Sequence, residues 1–158
     1  MEGFLNDALN NPIMIPRYHF IFGLIPAILL AFAEPLYGML FLMGAFLIDF
    51  DHYLIYVLAF RDLSLSRAIR FFESKVLEFN KAKDIKFFLP LHNIEAFLGI
   101  LVISSYIPLL YFVFFGMVFH YVLDLCYDYA KFGKFIREFS VIQYILRPNK
   151  FYMSQIAR

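Results

Sequence analysis

Four histidines and a matching set of aspartates are spaced so that each falls at the edge of an apolar stretch: His19, Asp49, Asp51, His52, His92, His120 and Asp124. Imidazole nitrogen and carboxylate oxygen are the donor set of a borderline divalent cation, zinc first, with manganese or iron as further options. His120 and Asp124 stand four apart, so on a helix their side chains project together, and Asp128 continues that stripe. Asp49 and His52 share a helical face, whereas Asp51 points elsewhere unless the helix breaks. That leaves open which acid ligates directly and which orients a histidine. Glu95 follows His92 by three residues, on the same helix face. Asp51 and Glu95 are the carboxylates placed to take a proton from a water.

Each of these residues has a simpler reading taken alone. His19 could be interfacial, His120 with Asp124 a packing hydrogen bond, and Asp49 with Asp51 a helix cap or a partner for Arg61. Together, at the ends of apolar segments, they carry a cost. Charge at bilayer depth costs roughly 2.5–3.5 kcal/mol per residue. Buried carboxylates also repel one another unless protons or a cation offset them. A bound divalent metal accounts for all of them at once.

Helices set in a membrane must position these groups. The chain of 158 residues is 62% hydrophobic, with 22 Phe and 11 Tyr, and its mean hydropathy is +0.69. Soluble domains run at about 45–50% apolar residues. The expected fold is all-α: one integral-membrane domain, a polytopic bundle of about four spans at 18–33, 36–52, 93–107 and 109–130. Pro35 and Pro108 mark the turns within each pair of spans. The first and third spans fall short of the ~20 residues that cross a ~30 Å core, so local thinning or snorkelling is implied. The run 20–33, closing on Ala31-Phe32-Ala33, imitates a signal peptide. The segment before it carries Glu2 and Asp7 against the single base Arg17, and a second apolar run follows, so it reads as a span. Cys126 stands alone, which excludes a cysteine-built zinc site, and it is expected to pack as a small apolar residue.

The bases orient the bundle. All 14 Lys and Arg fall at Arg17, between Arg61 and Lys86, or from Lys131 onwards, and the two proline turns hold only Glu34. By the positive-inside rule both termini and the long loop are cytoplasmic, in a multi-pass protein of the cell membrane. The metal candidates then converge on the cytoplasmic side. Leu65, Ile69, Phe72, Val76 and Phe79 recur at helical spacing between Arg67, Arg70, Lys75 and Glu78. The segment 61–90 is therefore expected to hold an amphipathic interfacial helix. The tail 131–158 has a similar character over 132–145. A shift of 73 residues maps His19 onto His92, Pro35 onto Pro108 and Asp51 onto Asp124, the pattern of a duplicated hairpin.

The order His19, then Asp49-Phe50-Asp51-His52, then His92, then His120-x-x-x-Asp124 resembles the YdjM-type family of membrane-bound metal-dependent hydrolases. That family is similar to a membrane relative of the zinc-dependent phospholipase C fold, a helical bundle around a metal cluster. The resemblance covers residues 19–128 and implies His19, Asp49, Asp51, His52, His92, His120 and Asp124 as metal-site positions. The family commonly shows further histidines before the third span and a serine where Asn93 stands.

The expected function is a metal-dependent, phosphoesterase-like hydrolase at the cytoplasmic face. Its substrates would be phosphate esters, phospholipid or another membrane-associated ester among them, and membrane lipids its immediate partners. A metal or proton transporter would need polar groups at the midplane or on both sides, and the outer half is almost bare. A non-catalytic scaffold binding through its basic loop is the third class. No nucleic-acid partner is expected, because the bases flank membrane segments rather than forming a groove-reading patch.

Overall fold

The computed structural model describes residues 16–80, 89–133, 135 and 139–146, and every regular element among them is helical. The helices are α1 (Pro16–Ala31), α2 (Pro35–Leu47), α3 (Phe50–Phe60), α4 (Leu65–Asn80), α5 (Ile94–Tyr106), α6 (Leu110–Phe132) and α7 (Val141–Leu146), with a 3₁₀ turn at Pro90–His92 before α5. The basic stretch 81–88 and most of the tail lie outside the described residues. So do the side chains of 73–80, including Val76 and Phe79 of the expected apolar face.

Proline starts α2 where its missing N–H costs nothing. Glu34 is extended (φ −158°, ψ 122°) and Pro35 opens the helix. The matching turn at 107–109 closes through Leu110 N–H to Ile107 O at 2.9 Å. Each turn folds an apolar pair back on itself, α1 on α2 and α5 on α6. The largest interface joins α2 to α6, followed by those of α1 with α2 and α5 with α6. The α2–α6 contact is parallel: Tyr37 stacks on Phe112 with centroids 4.1 Å apart, and further along Ala45 meets His120.

Glycine permits that contact. A Cβ on Gly44 would lie 2.0 Å from Val113 O, and one on Gly116 would lie 2.0 Å from Phe41 O. The two contacts are reciprocal, with Gly44 and Phe41 of one hairpin corresponding to Gly116 and Val113 of the other. On the opposite side of α2, a Cβ on Gly38 would lie 2.3 Å from Ala27 O of α1. Small residues thus bring three backbones into direct contact, a packing mode typical of helices in apolar solvent.

The second apolar run does not end at Asp49. Ile48 (φ −63°, ψ −37°) and Asp49 (φ −71°, ψ −9°) stay right-handed, so α2 leads into α3 through a tight break rather than a loop. Together they form a 26-residue apolar stretch, Pro35–Phe60, and α6 supplies a second, Leu110–Lys131. At 1.5 Å per residue these reach roughly 39 and 33 Å, enough to cross a ~30 Å core. Two helices therefore have membrane-crossing length, against the four spans expected. Tyr18–Ala31 and Ile94–Tyr106 are apolar but shorter, ended by the turns before Pro35 and Pro108. Only 33% of each long window is buried, and Ile25, Leu29, Phe32, Met39, Met43, Leu98, Val102 and Phe115 face outward. Cys126 also lies on the outside of α6, contrary to the expected packing, because the inward stripe is taken by His120, Asp124 and Asp128.

Helix α4 folds against α3. Ala68 and Phe72 are buried with Tyr56, flanked by Tyr53, Phe60 and Phe71, while Leu65 and Ile69 of the same apolar set stay exposed. Asp62 ties the corner, accepting from Ser64 N–H (2.9 Å), the Tyr56 hydroxyl (2.7 Å) and the Arg67 guanidinium (2.7 Å to Nε). These donors, the Ser64 N–H foremost, hold the Asp62 carboxyl below its ordinary value. Its contribution is therefore present above the ordinary carboxylate range and lost only as pH falls through the lowered value.

The glycine contacts make a direct prediction. Gly44→Ala is expected to lower stability by on the order of 1–3 kcal/mol, since backbone rather than a flexible side chain must move. Gly99→Ala, whose added Cβ meets nothing within 4 Å, is expected to be neutral or stabilising by up to ~1 kcal/mol. Thermal unfolding of both variants in one detergent would check this, and equal effects would contradict the packing.

Candidate metal centre

Four elements deliver seven donors to one end of the bundle. His19 comes from the first turn of α1, and Asp49, Asp51 and His52 from the α2–α3 break. His92 closes the 3₁₀ turn, while His120 and Asp124 project from successive turns of α6. The break alters what periodicity alone implies: tightening of the backbone at 48–49 turns Asp51 inward beside Asp49 and His52. His19, Asp51, His92, His120 and Asp124 are all buried.

Asp124 is the hub. Its Oδ1 lies 3.1 Å from His19 Nε2, and its Oδ2 lies 3.3 Å from both His92 Nε2 and His120 Nε2. Asp49 faces His120 Nε2 at 3.4 Å, His52 Nδ1 at 3.5 Å and His19 Nδ1 at 3.7 Å. Asp51 lies 3.0 Å from His52 Nδ1 through Oδ1 and 3.0 Å from His92 Nδ1 through Oδ2. The expected repeat acquires a spatial meaning here. The histidine of each half meets the acid of the other, His19 with Asp124 and His92 with Asp51.

Two histidines are oriented from behind. The Ala45 carbonyl can only accept, so at 2.6 Å it fixes the proton on His120 Nδ1 and leaves the Nε2 lone pair facing the cluster. Asp51 Oδ2 does the same for His92 Nδ1, and it also accepts from Leu91 N–H at 3.0 Å. Asp51 therefore uses one oxygen to orient His92 and keeps Oδ1 for the cluster. Asn93 supports the turn from beneath, donating through Nδ2 to Leu89 O at 2.7 Å.

The donors fit a metal better than they fit each other. His19 Nδ1 and Nε2, Asp51 Oδ1, His52 Nδ1, His92 Nε2 and His120 Nε2 are buried without a hydrogen-bond partner of acceptable geometry. Three overlapping sets of ligand atoms each lie within 4.8 Å: His19, His120 and Asp124; Asp49, His92 and His120; Asp51, His52 and His92. The His19 and His120 rings stack with centroids 3.7 Å apart, so both present their nitrogens to the same small volume. Two buried carboxylates, Asp51 and Asp124, and the partly buried Asp49 are gathered here, and negative charge at that density needs a counter-charge. These groups could hold a divalent cation.

Glu95 requires a correction. Expected as a spare ligand or base, it instead accepts from Ser140 Oγ and from the N–H groups of Val141 (3.1 Å) and Ile142 (3.5 Å), capping α7. It belongs to none of the ligand sets among the described residues. Its neighbour Ile94 N–H donates to Phe139 O at 2.9 Å, so the first turn of α5 docks the tail segment rather than the cluster. Sequence reasoning also missed the Ala45 carbonyl and Leu91 N–H, since main-chain atoms leave no mark in residue identity. Phe72, edge-on to the His52 ring at 5.0 Å, was visible only as one member of an apolar face.

Comparison with protein-family models, curated proteins and solved structures finds no match to this chain.

Asp124→Asn should lower bound metal on the order of 10²-fold in affinity, because it disturbs three imidazole contacts together. Glu95→Gln should keep full metal content while weakening only the attachment of α7. Elemental analysis of both purified variants beside the unmodified protein would decide between a ligand and a capping role.

Proposed function

We propose that this chain is a membrane-embedded, metal-dependent hydrolase of phosphate esters, with its centre at the cytoplasmic face. The observation that carries the reading is the set of seven His and Asp donors, five of them buried, drawn from four elements. The resemblance of Asp49-x-Asp51-His52 and His120-x-x-x-Asp124 to the YdjM-type hydrolases points the same way. In this reading α1 and α5 complete a four-span bundle with α2–α3 and α6, short spans being accommodated by local thinning of the bilayer. The outward apolar surface supports a lipid surround, and the distribution of Lys and Arg sets both termini and the α3–α5 segment in the cytoplasm.

Zinc is the favoured cation for an all-nitrogen-and-oxygen donor set. A catalytic zinc would take three protein ligands and a water, so seven donors have capacity for two ions. A cation held there supplies Lewis acidity towards a phosphoryl oxygen and a water acidified towards neutrality. The protein's own atoms do the rest. The Ala45 carbonyl and Asp51 Oδ2 aim the Nε2 atoms of His120 and His92 inward, and α4 covers His52 through Phe72. Asp49 is the one carboxylate of the cluster that keeps appreciable exposure, at 20%, so it is the acid placed to exchange a proton with solvent. The proton-accepting role expected of Asp51 or Glu95 passes to it, since Asp51 Oδ2 holds His92 and Leu91 N–H and the oxygens of Glu95 are engaged by α7.

A transporter is the second reading, and the geometry disfavours it. The buried acids Asp51, Asp124 and Asp128 all sit at the cluster end, while Glu34 in the opposite turn is exposed. No second polar layer continues the path among the described residues.

The test is hydrolysis of chromogenic phosphate mono- and diesters by the detergent-purified protein. Activity should vanish on chelation and return with zinc or manganese. The double variant His120→Ala/Asp124→Ala should lose both metal and turnover, by about 10²-fold or more. Metal content and activity should fall together as pH is lowered, because protons compete with the cation for the imidazole and carboxylate donors. Metal flux across vesicles without ester hydrolysis would replace this reading with transport.

A further inference from the structure

The cluster is unevenly enclosed. Five of its members are at most 3% exposed, whereas Asp49 and His52 retain 20% and 19%. Both stand at the α2–α3 break, so the opening is there. One side of it is shut, because the buried ring of Phe72 lies against His52. The other side has an apolar rim. Phe46, one turn before Asp49, is exposed, as are Leu47 and Phe50, and the exposed Phe20 of α1 packs edge-on against Phe46 at 5.4 Å. That rim is not isolated. Met39, Met43, Phe46, Phe50, Leu54 and Leu58 form one outward stripe along α2 and α3, all exposed.

We infer that the α2–α3 opening admits a membrane phospholipid sideways, its phosphate at the Asp49–His52 edge of the cluster and its acyl chains along the Met39–Leu58 stripe. The inference rests on the metal-centre reading and adds the physical form of the substrate and the route it takes. Two complementarities carry it. The stripe is continuous with the apolar exterior, so chains lying on it exchange one hydrocarbon surround for another and the substrate need not leave the bilayer. A water-soluble ester would instead pass a rim whose described polar groups are the cluster's own. Charge is the second. The seven donors, with their histidines neutral, carry −3, and two divalent cations would bring that donor set to +1, while the buried Asp128 lies one turn further along α6. A doubly occupied cluster would thus present positive charge to an anionic phosphate at the Asp49–His52 edge.

The experiment uses the full chain loaded with Mn(II) in nanodiscs and reads ³¹P hyperfine coupling to the metal. Discs of phosphatidylglycerol should give the coupling. Discs of phosphorus-free galactolipid, with glycerol 1-phosphate in the buffer at the same phosphate concentration, should give at least tenfold less. Phe46→Gln/Phe50→Gln should retain its manganese and lose most of the lipid coupling. Equal coupling from lipid and soluble phosphate in the unmodified protein would overturn the sideways route and leave the metal centre standing. So would a double variant that keeps both metal and full lipid coupling. Absence of both bound zinc and bound manganese in the unmodified protein would overturn the metal centre, and this inference with it.

Discussion

The carboxylate of Asp124 holds together elements that the chain separates widely. It reaches His19 on α1, His92 on the turn before α5 and His120 one turn back on its own helix. Asp49 and Asp51 add the α2–α3 break to the same network. A buried carboxylate is tolerable only where its charge is met, so each acid dictates where its histidines must be. The cluster end of the bundle is therefore specified by polar groups, whereas the described core between α2, α5 and α6 away from it is apolar.

Those polar groups meet only because the backbones approach closely. Gly44 against Val113 and Gly116 against Phe41 set α2 and α6 in direct contact, and the same approach brings the Ala45 carbonyl within 2.6 Å of His120 Nδ1. Side chains at those glycines would separate the helices and remove the hydrogen bond that fixes the His120 tautomer. Packing and site chemistry are thus one constraint. The glycine contacts form a reciprocal pair across the two hairpins, as do the crossed contacts of His19 with Asp124 and His92 with Asp51.

The break between α2 and α3 is the other decisive feature. An unbroken helix would send Asp51 away from Asp49 and His52. A true loop would uncouple α3 from the 26-residue apolar stretch it completes. A tight right-handed passage through Ile48 and Asp49 avoids both outcomes. It also leaves the cluster's least covered edge among Phe46, Leu47 and Phe50, which gives the centre an apolar approach.

Composition and periodicity alone determined that the chain is helical and strongly apolar, that Pro35 and Pro108 turn it, and that the His and Asp donors sit at one end of those helices. Those conclusions follow from local chemistry: a proline removes an N–H wherever it stands, and a four-residue spacing puts His120 and Asp124 on one face in any helix. The donor set was legible residue by residue for the same reason. Tertiary structure decided what depends on distance between elements. It turned Asp51 inward at a bend that periodicity could not locate. It diverted Glu95 to the N-terminus of α7, although its spacing from His92 had placed it with the cluster. It exposed Cys126, and it recruited the Ala45 carbonyl and Leu91 N–H, main-chain groups that every residue type carries alike. Residue identity states what a group can bond, and only the packed helices state which partner comes within reach.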